Sequence, residues 1–182
     1  MNITVIGRGN VGGGLAKRWR NAGHEVDELG QDGGDASGAD VVLLAVPAAA
    51  VANALGKVSG LEGKVTIDAT NRVGTPPPDG FDSLAAQVKS ITGGPTAKAF
   101  NLNLARIYDE IGNQGVTPGN LYCADDDARD VTEQLIRDAG YEPVSAGNLD
   151  SAGAQEDAIS LWFALANAQG AVFYRFWKPG EI

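Results

Sequence analysis

Glycines at positions 7, 9 and 12 follow directly on the apolar, β-branched run Ile3-Thr4-Val5-Ile6. This G-x-G-x-x-G spacing stops a strand over Asn2–Ile6 and opens a helix over Asn10–Asn21, with Leu15, Ala16, Trp19 and Ala22 on one face. Each glycine has a separate geometric job. Gly7 permits a tight turn, Gly9 lets a pyrophosphate approach the backbone, and Gly12 lets the helix lie near the strand. The free N–H groups and positive end of the helix then face the phosphates. The motif carries this meaning only between a strand and a helix, and that is its setting here. Gly7, Arg8, Gly9, Asn10, Val11 and Gly12 are therefore the candidate dinucleotide-binding turn.

A net charge of −9 argues against nucleic acid and against an anionic membrane surface, both of which call for a basic face. A phosphate-bearing ligand must then be held by local devices, namely helix N-termini and individual arginines. No apolar run approaches the roughly 20 residues of a membrane span. Met1 leads almost directly into the first strand, so no signal peptide is expected. Cys123 is the only cysteine, which excludes an internal disulfide and suits a cytoplasmic setting. It lies in an apolar stretch, as a small core residue would.

The chain continues with a second strand over Glu25–Leu29. The polar turn segment 30–40 follows, and then the continuous apolar run 41–46, expected for a strand buried on both faces. About ten residues separate these two strands, too few for a full crossover helix and a further strand. One edge of the sheet is thus pared away, which predicts a shallow, open adenosine pocket. Pro47 stops the third strand. A short helix is expected over 48–57, a strand over 64–69, a stiff loop around Pro76-Pro77-Pro78, a helix over 81–90 and a strand over 96–100. Helical spacing over 102–111 precedes a loop over 112–119, a strand over 121–124, a helix over 128–139 and a last strand over 142–145. Asp125, Asp126 and Asp127 are read as caps of the helix they precede, not as a metal site. His24, the only histidine, falls on the amino side of the sheet, away from ligands, and has a structural reading. A long final helix, about 150–177, is apolar around more than one face, which suits burial on two sides, one of them a partner subunit in a homodimer. The fold class is α/β. It is Rossmann-like and doubly wound, with a mainly parallel sheet, a reduced crossover between strands two and three, and a long C-terminal helix. A single NAD(P)-binding domain spans 1–182.

Several stretches resemble the deazaflavin-dependent NADP reductases (coenzyme F-420:NADP oxidoreductases) and their small relatives. They are the segment 6–12, Ala22-Gly23-His24-Glu25-Val26, the run 39–47, Asp68-Ala69-Thr70-Asn71, Lys98-Ala99-Phe100-Asn101, and the run 139–149. The resemblance implies NADP(H) binding, hydride exchange with a deazaflavin lying on the nicotinamide, and pairing as a dimer. Two departures stand out. The family's Ser-Arg after strand two, which holds the adenosine 2′-phosphate, is replaced here by Leu29-Gly30-Gln31-Asp32. An acid at this point suits the free 2′-hydroxyl of NAD, whereas Arg8 within the turn suits the 2′-phosphate of NADP. The second departure is the shortened crossover.

The expected rim of the site comprises the glycine turn, Gln31, Ala45-Val46-Pro47, Thr70-Asn71 and Phe100-Asn101. Reduction of a carbonyl calls for a proton donor, and no general acid or base stands out among these residues. Hydride exchange between a nicotinamide and a flavin-like ring needs only two rings stacked in a dry slot. Pro47, Thr70, Asn71, Phe100 and Asn101 are the candidates to orient the nicotinamide and its partner. The leading expectation is an NAD(P)H-dependent oxidoreductase with a deazaflavin or flavin acceptor. Reduction of a small carbonyl or imine, and a non-catalytic dinucleotide-binding role, are the alternatives.

Overall fold

The computed structural model describes residues 1–180, so the last two positions of the 1–182 reading lie outside the described residues. Strand β1 (Asn2–Ile6) turns into helix α1 (Asn10–Asn21), and β2 (Glu25–Leu29) returns parallel to β1. These three elements have the limits expected from the sequence. On α1, Gly12, Leu15, Ala16 and Trp19 are buried, while Ala22 caps the helix end in solvent. Trp19 anchors this face by donating its indole N–H to the Leu135 carbonyl at 2.8 Å.

Between β2 and β4 (Val41–Leu44) there is no helix, only the two-residue strand β3 (Gly34–Asp35). The 3-10 turn Ala48–Ala50 and helix α2 (Val51–Leu55) follow, and β5 (Val58–Ser59) pairs in parallel with β3. Next come β6 (Val65–Asp68), α3 (Leu84–Thr92) and β7 (Thr96–Ala99). Helix α3 starts later than expected because Ser83 caps it: its hydroxyl accepts from the Ala86 N–H at 3.0 Å. Leu84, Ala85 and Val88 point inward as expected.

Among the described residues, seven strands form one sheet in the order β2-β1-β4-β6-β7-β8-β9, with β8 at Gly119–Ala124 and β9 at Glu142–Ser145. The first five run parallel, β8 lies antiparallel to β7, and β9 is parallel to β8. Alternate residues of β4 serve the two faces. Val41 and Leu43 join Leu15 and Trp19 of α1, while Val42 and Leu44 join Val51, Leu55, Leu84 and Val88 of α2 and α3. Coverage on both sides explains the unbroken apolar run of this strand.

Four expectations need correction. Residues 102–111 do not make an α-helix. The segment Ala105–Asn113 is 3-10, broken at Ile107, with Tyr108 and Ile111 inward. Helix α4 is Asp126–Asp138, and the side chain of Asp125 does not cap it. That carboxylate instead accepts from the Thr96 N–H at 2.9 Å and from Lys89 at 2.8 Å. The helical reading of 48–57 shrinks to the 3-10 turn and α2. The C-terminal helical run is present in two pieces, α5 (Ala152–Asp157) and α6 (Ile159–Gln169), but it stops well short of residue 177. Gly170, at φ 87°, turns the chain out of the helix. The chain then runs back along β8, where the Gly119 N–H donates to the Tyr174 carbonyl at 2.6 Å.

No helix among the described residues is long and apolar enough to cross a membrane.

Candidate functional site

The chain steps from β1 outward to β2 and then back across to β4, so the sheet order reverses between β1 and β4. Ligands of open α/β sheets bind in the crevice beyond the carboxyl ends at such a reversal. The two segments meeting there are the glycine turn and Ala45-Val46-Pro47. Gly7 has φ 107°, and a Cβ on it would overlap the Ala45 carbonyl oxygen, so only glycine fits. A Cβ on Gly12 would overlap the Gly7 carbonyl oxygen, because α1 lies directly on the turn. A Cβ on Gly9 would meet nothing within 4 Å. Two of the glycines are therefore required by packing, and the third keeps an open face at the amino end of α1.

This face opens into a cleft of about 760 Å³. Gly7, Arg8, Gly9, Gln31, Ala45, Val46 and Pro47 of the expected rim all line it, together with Gly30, Asp32, Asn53 and Lys57. Asn10 is exposed beside the turn, Val11 packs on the core, and Gly12 is buried beneath it; none of the three lines the cleft. The side chain of Arg8 lies over Gly30, where a Cβ would overlap its guanidinium. Lys57 reaches across from the other wall and donates to the Gln31 carbonyl at 2.9 Å. The loop after β2 is thus flanked by two cations.

The other expected residues form a second group that does not line this cleft. Asn71 and Asn101 follow β6 and β7 at the same carboxyl edge. They are bonded to each other: Asn71 Nδ2 donates to the Asn101 carbonyl at 2.7 Å, and Asn101 Nδ2 donates to Asn71 Oδ1 at 3.0 Å. Gln155 of α5 adds a donor to Asn101 Oδ1 at 2.7 Å. Thr70 is buried, and its hydroxyl has no partner among the described residues. Phe100 is also buried, with its ring edge-on to Trp19 at 5.7 Å. Its backbone is left-handed, at φ 64°, and its N–H is taken up by Asn120 Oδ1 at 3.2 Å.

Below this edge lies an ionic cluster that sequence reasoning missed. Lys98 Nζ is 2.8 Å from Asp68 Oδ2 and 3.0 Å from Glu156 Oε1, and all three side chains are fully buried. Arg72 closes the cluster, with Nε 2.9 Å from Glu156 Oε2 and a further pair to Asp157 at 2.6 Å. Glu156 also accepts from the Leu84 and Ala85 N–H groups at the start of α3. Asp68 accepts from the Thr70 N–H at 2.8 Å. Every formal charge here has an opposite partner, as deep burial requires. The signal was present in the sequence: a lysine between alanines in a strand covered on both faces needs a carboxylate, and Asp68 stands opposite Lys98 in the β6–β7 register. The cluster is sealed, so it supplies no proton donor to the cleft. His24, just before β2 at the amino end of the sheet, pairs with Asp138 at 2.8 Å. Burial pushes the Cys123 thiol up to about 12, which keeps it neutral and inert.

No family model and no curated protein matches the sequence. Solved structures do match the fold. The Arthrobacter sp. FB24 "putative F420 dependent NADP-reductase" superposes with a TM-score of 0.82 at 20% identity, covering 97% of this chain and 99% of that one. A hypothetical protein from Sinorhizobium meliloti gives 0.67 at 25% identity, covering 84% and 88%. An imine reductase from Aspergillus terreus, solved with NADPH4 and dibenz[c,e]azepine, gives 0.65 at 17% identity. That alignment covers 92% of this chain but only 63% of the reductase, so this chain spans less than two thirds of its length. The fold resemblance drawn from the sequence motifs and the structural likeness therefore point to the same Rossmann-like group.

Proposed function

We propose that the chain is an NADP(H)-dependent oxidoreductase that exchanges a hydride with a deazaflavin or flavin-type acceptor. The observation that carries this reading is the open face of Gly9, at the amino end of α1, inside the cleft where the sheet order reverses. The pyrophosphate lies against that face, held by the N–H groups of the turn. The adenosine end follows the cleft toward Gln31 and Arg8, and the nicotinamide passes Ala45-Val46-Pro47 toward Thr70, Asn71 and Asn101. NAD remains the alternative cofactor, through Asp32. The similarity to a protein named as an F420-dependent NADP reductase over nearly the full length of both chains supports this choice of acceptor.

The protein's own residues bind and orient. The turn fixes the phosphates, Pro47 borders the nicotinamide end of the cleft, and the Asn71–Asn101 pair stands outside the cleft on the same carboxyl edge. Among the described residues the one acid lining the cleft is Asp32, at the adenosine end, so the acceptor must be one that takes up hydride without a strong donor from the protein. A flavin-like ring meets that condition better than a carbonyl. Leu161 and Phe163 of α6, 58% and 39% exposed, are apolar surface that a second copy would cover, and the reading is a cytoplasmic homodimer.

Stopped-flow mixing of NADPH with the protein and oxidised deazaflavin or flavin tests the reading. Loss of nicotinamide absorbance with these acceptors, and none with a panel of carbonyls and imines, is the expected result. Turnover of an imine or carbonyl without flavin would move the assignment to the alternative reductase. Tight NADPH binding with no turnover of any acceptor would leave a binding protein.

A further inference from the structure

We propose that Lys57, acting with Arg8, selects a cofactor carrying a phosphate monoester on the adenosine ribose. This inference rests on the dinucleotide reading of the cleft and assigns its adenosine end.

The shortened segment between β2 and β4 is what brings Lys57 to the cleft. With no helix there, the loop after β2 is pinned directly to the residues after α2. The Gly34 N–H donates to the Lys57 carbonyl at 3.2 Å, and β3 then pairs with β5 at Gly34–Val58 and Asp35–Ser59. Gly33, at φ 77°, lets the two backbones meet; a Cβ there would overlap the Lys57 carbonyl. Lys57 is thereby held at the rim by its main chain, independently of its side chain. Its ammonium spends one donor on the Gln31 carbonyl at 2.9 Å and keeps two.

Charge supports the same conclusion. The chain carries 23 acids against 14 lysines and arginines, yet neither Arg8 nor Lys57 has an ion-pair partner among the described residues. Both line the cleft on either side of Gly30–Asp32. Asp32, exposed at the same end, is the one carboxylate lining the cleft among the described residues and suits a free ribose hydroxyl. Two cations against one carboxylate leave this end net positive in a strongly negative molecule. A dianionic phosphate there is attracted, whereas a neutral hydroxyl gains only one hydrogen bond.

Isothermal titration of wild type, Lys57→Gln and Lys57→Arg with NADPH, NADH, adenosine 2′,5′-bisphosphate and adenosine 5′-monophosphate tests this. Wild type is expected to prefer the two ligands with a 2′-phosphate. Lys57→Gln should raise their Kd roughly tenfold and leave the other two within about twofold, and Lys57→Arg should restore most of the loss. An equal effect of Lys57→Gln on all four ligands, or no effect, overturns the role of Lys57 while the dinucleotide site stands. A wild-type preference for NADH also overturns it. If wild type binds neither NADPH nor NADH, both the inference and the underlying reading fall.

Discussion

Asp68 and Lys98 stand opposite each other in the register of β6 and β7, and their side chains meet at 2.8 Å in full burial. Neither charge reaches water, so each depends on the other, and Lys98 depends also on Glu156. Removing one partner leaves an uncompensated charge in a medium that cannot solvate it. Lys98→Met strands the Asp68 carboxylate and leaves Glu156 to Arg72, and should cost about 3–5 kcal/mol in urea unfolding. Asp68→Leu combined with Lys98→Met should cost less than the sum of the two single changes, since the contact is shared. Strict additivity would show that the pair is not coupled.

The glycine turn allows packing and binding to be separated. Gly12→Ala forces α1 off the Gly7 carbonyl, and a loss of about 1–3 kcal/mol with weakened NADPH binding is expected. Gly9→Ala adds a methyl group to open space, so its unfolding midpoint should barely move. Its affinity for NADPH should nonetheless fall, because the methyl occupies the face assigned to the pyrophosphate. Calorimetric binding alongside urea unfolding reads both. Unchanged NADPH affinity in Gly9→Ala would remove the pyrophosphate from this face.

Cys123 makes stability depend on alkaline pH. An ordinary thiol ionises near 9, and burial in the fold raises Cys123 to about 12. Between these values the unfolded chain loses its proton while the folded chain keeps it. The thiol's contribution is therefore complete below about pH 9 and is lost as pH rises toward 12. Burial raises Tyr108 and Tyr141 as well, adding to the fall at higher pH. Urea unfolding at pH 7, 9 and 10.5 should show a decline that Cys123→Ala makes shallower. At pH 8 the native thiol should resist a disulfide-exchange reagent that labels the unfolded chain at once.

Leu161 and Phe163 project from α6 while Ile159 and Trp162 face inward. Leu161→Glu combined with Phe163→Glu changes only exposed side chains, so the fold should persist. If a second copy covers this surface, light scattering should report a dimer for wild type and a monomer for the double variant. A wild-type monomer at micromolar concentration would exclude that interface.

Much of this was readable in the sequence where local physics decides. β1, α1, β2 and β9 have the expected limits because Gly7, Gly23 and Gly140 bracket runs of clear periodicity. The missing crossover followed from counting residues between Leu29 and Val41. What was not readable depends on tertiary partners. Asp125 stands where a cap belongs, but the Thr96 N–H and Lys89 claim its carboxylate. Arg72 and Glu156 are 84 positions apart, and only the fold brings them together. The segment 171–177 has the composition of a helix, yet it runs along β8 with the Tyr174 hydroxyl accepting from the Leu121 N–H at 2.9 Å. Phe100 reads as a rim residue at a strand end, but its left-handed backbone carries the ring into the core against Trp19.

The reversal of direction at β8 limits how this scaffold can diversify. β8 and β9 end at the amino ends of the parallel strands, away from the cleft, so loops lengthened there would leave the proposed site untouched. On the proposed function, new acceptor specificity has to be written into the connections that leave β4, β6 and β7. Directed mutagenesis for altered substrates should therefore concentrate its libraries on those three segments, and circular permutation or fusion of a carrier domain belongs at the turn after Ser145.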